Sequence, residues 1–153
     1  MIYLIRHAEA LDAANDDIRP LSPYGQEQVR ALAGFLRGKS EFAPTALWHS
    51  PLVRARETAT LLAAHLKLAA PLVETRGLRP EDSPVEIARV LRRQVEPVAV
   101  VGHEPHLSAL ASLLIAGRMS PPVFVFRKGC VLALDGAENC WAASWQISPE
   151  LVA

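Results

Sequence analysis

The chain opens with Met1-Ile2-Tyr3-Leu4-Ile5-Arg6-His7, an apolar run that leads directly into a cation and an imidazole. The run predicts a short buried strand. Two later apolar stretches also end in polar residues, and the three predicted strands are Ile2–Ile5, Thr45–His49 and Pro97–Val101. Open α/β sheets bind ligands beyond the carboxyl ends of their strands. We therefore expect the polar residues after these strands to meet at one edge of a sheet. They are Arg6 and His7, His49 and Ser50, and His103.

Helix signals separate the predicted strands. Ser22-Pro23 combines an N-cap serine with a first-turn proline, and Gly38 stands where the helix that they begin should end. Ser50-Pro51 and Ser83-Pro84 repeat the start signal, and Gly117 marks the end of a fourth helix. The pattern therefore predicts four helices that alternate with strands.

Further short strands are predicted in the middle and at the end of the chain, at Pro71–Glu74, Val123–Phe126, Cys130–Leu134 and Trp141–Ile147, with a turn at 135–139. Alternating strands and helices imply a mostly parallel sheet covered on both faces, and a closing hairpin makes the sheet mixed. The predicted fold class is therefore α/β: a three-layer sandwich with a mostly parallel mixed central sheet and helices on both faces.

The composition indicates one globular domain, residues 1–153. Half of the residues are hydrophobic and 21% are charged, which argues against a disordered chain. The 16 Lys and Arg residues balance 16 Asp and Glu residues, so the formal net charge is zero. Nucleic-acid binders and polybasic membrane modules normally carry a basic excess. We therefore expect any recognition of anions to be local.

From the sequence we expect no targeting signal, no membrane span and no disulfide or zinc site. The N-terminal apolar run has no basic region before it, so we expect no signal peptide. No apolar run reaches the ~18–20 residues of a membrane span. Cys130 and Cys140 do not make a disulfide framework or a zinc site, and we expect reduced thiols. A cytoplasmic protein is predicted.

The polar residues at the predicted sheet edge suit a phosphoryl group. Arg54 lies one helical turn after Ser50, on the side that faces Arg6-His7. Guanidinium groups and helix N-termini bind phosphoryl oxygens, and a histidine can be the nucleophile in phosphoryl transfer. The histidine spacings match no metal-ligand motif, so we expect neither a metal nor another cofactor.

Three segments in order, at family-like spacing, resemble the signatures of the histidine phosphatase superfamily, the phosphoglycerate-mutase-like group. They are Arg6-His7-Ala8-Glu9, Ser50-Pro51-Leu52-Val53-Arg54-Ala55-Arg56-Glu57-Thr58-Ala59 and Val101-Gly102-His103-Glu104-Pro105. The short chain, Arg19-Pro20-Leu21-Ser22 with Gly25, and the ending Trp145-Gln146-Ile147-Ser148-Pro149 resemble the SixA-type phosphohistidine phosphatases. The resemblance covers nearly the whole chain and implies the phosphoglycerate-mutase-like fold.

The resemblance also implies a role for each matched residue. His7 is the expected nucleophile. Arg6 and Arg54 are expected to bind the phosphoryl oxygens, and His103 to bind phosphate and to stabilise the transition state. Two further residues expected at the phosphate site are Arg19 and Ser50. Because neighbours in a regular strand point to opposite faces, the chain must bend at Arg6-His7 for both side chains to reach the phosphate.

The motifs do not identify a general acid, the residue that would protonate the leaving group. Larger members of the superfamily usually carry an acid on an insertion after the third strand, where this chain has only residues 78–84. Glu81 and Asp82 are the candidates there, although Asp82-Ser83-Pro84 is better interpreted as a helix start. An imidazole leaving group, with a pKa of ~6.5, leaves more easily than an alkoxide. The favoured substrate is therefore phosphohistidine.

We therefore predict a metal-independent phosphatase that hydrolyses phosphohistidine on a protein, through a covalent phosphohistidine intermediate on His7. The expected partner is a phosphorylated protein of signal transduction, such as a histidine-containing phosphotransfer domain or a histidine kinase. We expect a monomer with no nucleic-acid or membrane partner. Two alternatives remain open: a small-molecule phosphomonoesterase with Glu81 or Asp82 as acid, and a catalytically weak phosphoprotein-binding module.

Overall fold

The computed structural model describes residues 1–153, which form six strands and four α-helices. The strands are β1 (Ile2–Arg6), β2 (Ala46–His49), β3 (Leu72–Glu74), β4 (Val98–Gly102), β5 (Val131–Ala137) and β6 (Cys140–Ile147). The α-helices are α1 (Pro23–Leu36), α2 (Val53–Leu66), α3 (Val85–Arg92) and α4 (His106–Ala116). Short 3₁₀ helices span Asp16–Ile18 and Pro149–Leu151. None of these helices combines the length and the apolar character that crossing a membrane requires.

The strands form one mixed sheet in the order β3-β2-β4-β1-β5-β6. The first four strands pair in parallel, β1 with β4, β4 with β2, and β2 with β3. β5 is antiparallel to β1, and β6 is antiparallel to β5. The parallel part of the sheet thus comes from the segments that alternate with helices, and the antiparallel part comes from the closing hairpin.

Helices cover both faces of the sheet, because successive residues of a strand point to opposite faces. On one face, α1 and α2 share a core cluster with Tyr3 and Ile5 of β1. On the other face, α3 and α4 share a second cluster with Ile2 and Leu4 of the same strand. All four side chains are buried. The predicted three-layer α/β sandwich, with a mostly parallel mixed sheet and helices on both faces, is therefore confirmed.

The parallel pairing brings the polar residues to one edge of the sheet. The register aligns the carboxyl ends of β1 and β2 with the carboxyl end of β4, which lies between them. The backbone N–H groups of His7 and Ser50 donate to Gly102 O at 3.0 Å and to Val101 O at 3.2 Å. His103 follows β4 directly. The three strand ends therefore meet as the sequence predicts.

Three local predictions are wrong. α2 begins at Val53, so Ser50-Pro51 precedes the helix instead of starting it. Val123–Phe126 is not a strand, and the backbone N–H of Val123 donates to Ser112 Oγ on α4 rather than to a neighbouring strand. The final hairpin turns over Glu138-Asn139 alone, because β5 and β6 pair up to that point.

Candidate active site

His7, Arg54 and His103 form the buried centre of the site, with 6%, 4% and 1% of their surface exposed. The ring centroids of His7 and His103 lie 5.0 Å apart. Arg54, the second residue of α2, places its Nε 3.3 Å from His7 Nε2. The structure thus brings together three residues that the sequence predicts, from the ends of β1 and β4 and from the first turn of α2.

The hydrogen bonds of His7 decide which of its nitrogens can act as a nucleophile. Nδ1 lies 2.7 Å from Ala8 O, and a carbonyl can only accept, so Nδ1 carries the proton. Nε2 keeps its lone pair and accepts from Arg54 Nε–H. Burial is the main cause that lowers the pKa of His7 to about 4, and three nearby cations act in the same direction. They are Arg54, Arg6 and Lys128. His7 is therefore neutral at neutral pH, the state in which an imidazole can attack phosphorus.

Ser50 and His103 are bonded to each other. Ser50 Oγ lies 2.5 Å from His103 Nε2, and the same oxygen accepts from the backbone N–H of Leu52 at 3.2 Å. His103 Nδ1 is buried and has no hydrogen-bond partner. Burial, and after it the neighbouring His7 and Arg54, lowers the pKa of His103 to about 2. His103 is therefore a neutral imidazole with one ring nitrogen that makes no hydrogen bond within the protein.

Arg6 lies beside the nucleophile at a bend in the chain. The backbone N–H of Gly129 is within hydrogen-bond distance of both Arg6 O and His7 O, at 3.1 and 3.2 Å. Successive carbonyls of a regular strand point in opposite directions, so the predicted bend is present. Arg6 Nη1 donates to Phe126 O at 2.7 Å, and its buried Nε has no partner. Burial is the main cause that lowers the pKa of Arg6.

Asp16 is part of this cluster, although the sequence reasoning did not include it. Its backbone O accepts from Arg54 Nη1 at 2.8 Å, and its Oδ2 accepts from Arg54 Nη2 at 3.1 Å. Its other carboxylate oxygen accepts from Arg19 Nη1 at 3.2 Å. Arg19 is thus connected to Arg54 through Asp16. The available signal was the acidic stretch Asp16-Asp17 just before Arg19, because a buried cation needs a counter-charge.

The two candidate general acids lie on the loop between β3 and α3, where they contact Arg79. Glu81 Oε1 accepts from Arg79 Nε at 2.8 Å, and Asp82 Oδ2 accepts from the backbone N–H of Arg79 at 2.9 Å. The hydrogen bond from Arg79 lowers the pKa of Glu81, so this carboxyl is ionised at neutral pH. Neither side chain is hydrogen-bonded to His7 or to Arg54. The structure therefore does not place these carboxylates in contact with the nucleophile.

The donors at this edge suit an oxyanion. The guanidinium groups of Arg6 and Arg54 and the ring of His103 are arranged around His7, and charge-assisted hydrogen bonds from arginine favour phosphoryl and carboxylate oxygens. No group of three or more His, Cys, Asp or Glu side chains has the arrangement of metal ligands. The largest cavity, about 650 Å³, lies between α1 and the C-terminal residues and includes none of these side chains.

Two residues of the matched motifs hold the segment that follows β1. Gly25, in the first turn of α1, has no room for a side chain, because a Cβ there would lie 2.0 Å from Glu9 O. Thr58 Oγ1, on α2, accepts from the backbone N–H of Ala8 at 3.1 Å. The close approach at Gly25 and the hydrogen bond of Thr58 both constrain the backbone directly after the nucleophile. This explains why glycine and threonine stand at these positions.

Comparisons with known proteins agree with this geometry. The family profile described as histidine phosphatase superfamily (branch 1) matches residues 2–81. The chain is 29% identical to phosphohistidine phosphatase SixA of Escherichia coli strain K12, over 97% of this chain and 93% of that protein. The structure is similar to that of the protein histidine phosphatase SixA complexed with tungstate, with a TM-score of 0.88, 26% identity and 99% of both chains covered.

A more distant likeness shows only the fold. A phosphoserine phosphatase of Entamoeba histolytica, in complex with 3-phosphoglyceric acid, has a TM-score of 0.71 at 17% identity over 96% of both chains.

The matched family profile, the whole-length relative and the strand-end histidines together lead to one conclusion. The chain belongs to branch 1 of the histidine phosphatase superfamily, as an enzyme of the SixA type.

Proposed function

We propose that this enzyme hydrolyses phosphohistidine on a protein through a covalent phosphohistidine on His7. In the first step, His7 Nε2 attacks the phosphorus of a phosphohistidine whose ring carries a proton on its other nitrogen, the bond from phosphorus to that ring breaks, and a neutral imidazole leaves. In the second step, water attacks phosphorus, the bond to His7 Nε2 breaks, and inorganic phosphate leaves with a proton passing to solvent. Arg6, Arg54 and His103 stabilise the charge on the phosphoryl oxygens in both steps.

One observation carries this proposal: the unprotonated Nε2 of a buried histidine lies next to a guanidinium and a second imidazole. A site that only binds phosphate has no need of a neutral nucleophile in this position. Since His7 Nδ1 donates to Ala8 O, Nε2 is available for attack without any prior loss of a proton. The arrangement therefore favours nucleophilic catalysis over simple binding.

The substrate class is proposed from the leaving group. Residues 75–84 make up the whole connection between β3 and α3, and both carboxylates on it, Glu81 and Asp82, bond to Arg79. An imidazole, with a pKa of ~6.5, can leave with little help, whereas an alkoxide needs a proton donor. The relative from Escherichia coli is itself a phosphohistidine phosphatase. These observations support phosphohistidine over an alkyl phosphoester.

The remaining properties are part of the same proposal. Residues 1–153 act as a single domain, which is supported by the two core clusters that share one sheet. The enzyme acts as a cytoplasmic monomer on a phosphorylated signalling protein, such as a histidine-containing phosphotransfer domain or a histidine kinase. Arg6 and Arg54 neutralise the phosphoryl charge, so catalysis proceeds without a metal.

A panel of phosphodonors tests the proposal. Initial rates would be compared on a protein phosphohistidine, on free phosphohistidine and on an alkyl phosphoester, each with and without EDTA. We expect kcat/KM to be ~10²–10⁴-fold higher on phosphohistidine than on the alkyl ester. This is the usual contribution of a general acid, which the ester needs and the proposed site does not supply. Preference for the ester would support a phosphomonoesterase, and binding without turnover would support a phosphoprotein-binding module. Loss of turnover in EDTA, restored by Mg²⁺ or Zn²⁺, would contradict the metal-independent mechanism.

A further inference from the structure

We infer that Asp16 is a positioning residue, which fixes the edge that the Arg54 guanidinium presents to the phosphoryl group. The inference rests on the proposed function, because it concerns how one of the proposed phosphate ligands is aimed. Asp16 lies on the 3₁₀ helix Asp16–Ile18, outside every segment that matches the family signatures. Its contacts with Arg54 are nevertheless as direct as those of His7.

A guanidinium group can present two different pairs of donors. One pair is formed by the two terminal nitrogens, and the other by Nε–H together with one N–H of the adjacent terminal nitrogen. Asp16 occupies the terminal pair of Arg54, with its backbone O on Nη1 at 2.8 Å and its Oδ2 on Nη2 at 3.1 Å. The Nε edge remains, and Nε–H points at His7 Nε2 at 3.3 Å. The edge that Asp16 leaves free is therefore the edge that faces the nucleophile.

The carboxylate of Asp16 is itself held in this orientation. Arg19 Nη1 donates to its Oδ1 at 3.2 Å, and Arg19 Nε donates to Leu11 O at 3.0 Å. Asn15 caps the short helix, since its side chain accepts from the backbone N–H of Asp17 at 2.9 Å. Without the carboxylate, Arg54 could turn its terminal nitrogens toward the phosphoryl oxygens, which would move its charge away from the line between His7 and phosphorus.

A rival interpretation assigns the same contact the opposite effect. Asp16 could occupy Arg54 as a competitor that phosphate must displace. The two interpretations differ in sign, because removal of a competitor strengthens anion binding, whereas removal of a positioning group weakens it. Binding of tungstate to the resting enzyme therefore separates them.

The test compares Asp16→Asn with Asp17→Asn. Both changes replace an aspartate by its amide on the same short helix, but Asp17 Oδ1 accepts from Arg79 Nη2 at 2.8 Å and does not contact the site. We expect Asp16→Asn to lower kcat/KM about tenfold. A tenfold loss is near the lower end of the effect of removing a hydrogen bond to a charged group, because the Asp16 carboxylate is largely exposed. The loss should be mainly in kcat, tungstate should inhibit less, and Asp16→Glu should recover part of the rate. Asp17→Asn should stay within about twofold of the wild type.

A double-mutant cycle with Arg54→Ala completes the test, with urea unfolding to confirm that each variant is folded. If Asp16 acts through Arg54, Asp16→Asn should have no further effect when Arg54 is already alanine. An undiminished tenfold effect in that background, equal losses in the two asparagine variants, or tighter tungstate binding by Asp16→Asn would overturn the inference. Wild-type activity of Arg54→Ala would instead contradict the proposed function. Loss in Arg54→Ala with a harmless Asp16→Asn would contradict only this inference.

Discussion

Turnover should persist in acid, well below the pH at which an ordinary histidine becomes protonated. A nucleophile with a pKa of ~6.5 is about 90% protonated at pH 5.5, which would lower kcat/KM about tenfold from its value at high pH. With its pKa lowered to about 4, His7 is about 3% protonated at that pH. We therefore expect kcat/KM to be unchanged between pH 7 and pH 5.5 and to fall by half only near pH 4.

The cause of the shift supplies a variant and its control. Burial and nearby positive charge both disfavour the imidazolium form of His7, so removal of a neighbouring cation must raise its pKa. Lys128→Gln should therefore move the acid limb of the pH profile toward higher pH. Lys39→Gln removes the same charge from a side chain that lies over the ring of Phe35, and it should leave the profile unchanged.

The assay needs a correction for the chemistry of the substrate. Rates of phosphate release would be measured on two phosphodonors that ionise at different pH values, with the spontaneous acid hydrolysis of each subtracted. An acid limb shared by both donors belongs to the enzyme, and ¹⁵N NMR of His7 would give its pKa directly. A shared limb near pH 6.5, or an NMR midpoint near that value, would refute the reasoning.

Three further predictions concern the nucleophile, the acid and the buried imidazoles. His7→Ala should abolish turnover while tungstate still binds to the arginines, and turnover within about tenfold of the wild type would reject the covalent route. Glu81→Gln and Asp82→Asn should barely change the rate on phosphohistidine. If either residue is a general acid, its variant should lose ~10²–10⁴-fold in rate on an alkyl phosphoester. A hundredfold loss on phosphohistidine would favour the phosphoesterase. Stability should fall as the pH is lowered from 7 to 5, because the unfolded chain protonates His7 and His103 near pH 6.5 while the folded enzyme leaves both neutral until about pH 4 or below. The loss should be about 2 kcal/mol for each histidine at pH 5, and urea unfolding that shows no pH dependence would contradict their burial as neutral groups.

The strand-end residues could be predicted because the rule behind them is topological. A parallel sheet places the carboxyl ends of its strands along one edge, so short apolar runs that end just before Arg6-His7 and shortly before His103 were enough to bring the two histidines together. The alternation of predicted strands and helices then implied helices on both faces of the sheet, where the two core clusters lie. Neither inference required knowledge of a side-chain contact.

The failures occurred where tertiary contacts override local signals. Val123–Phe126 has the composition of a strand, but its backbone bonds to side chains, those of Ser112 on α4, Gln146 on β6 and Arg6, and not to the backbone of a neighbouring strand. Ser50 is a residue type that commonly caps helices, but α2 begins three residues later and the Ser50 hydroxyl contacts His103. Asp16 was missed although it stands in an acidic stretch before Arg19, because its contact with Arg54 joins residues far apart in the chain and no periodic pattern pairs the two.

The ion pair between Asp17 and Arg79 joins the loop after β1 to the loop after β3. Larger members of the superfamily, as the sequence resemblance implies, have an insertion after the third strand. Such an insertion here would carry Arg79 away from Asp17 and would remove this direct link between the two loops. A longer second loop would therefore have to supply Asp17 with a new partner or leave its carboxylate to water. Because both side chains are partly exposed, loss of this ion pair alone should cost little stability and should leave Asp16 on Arg54, in line with the mild effect expected of Asp17→Asn.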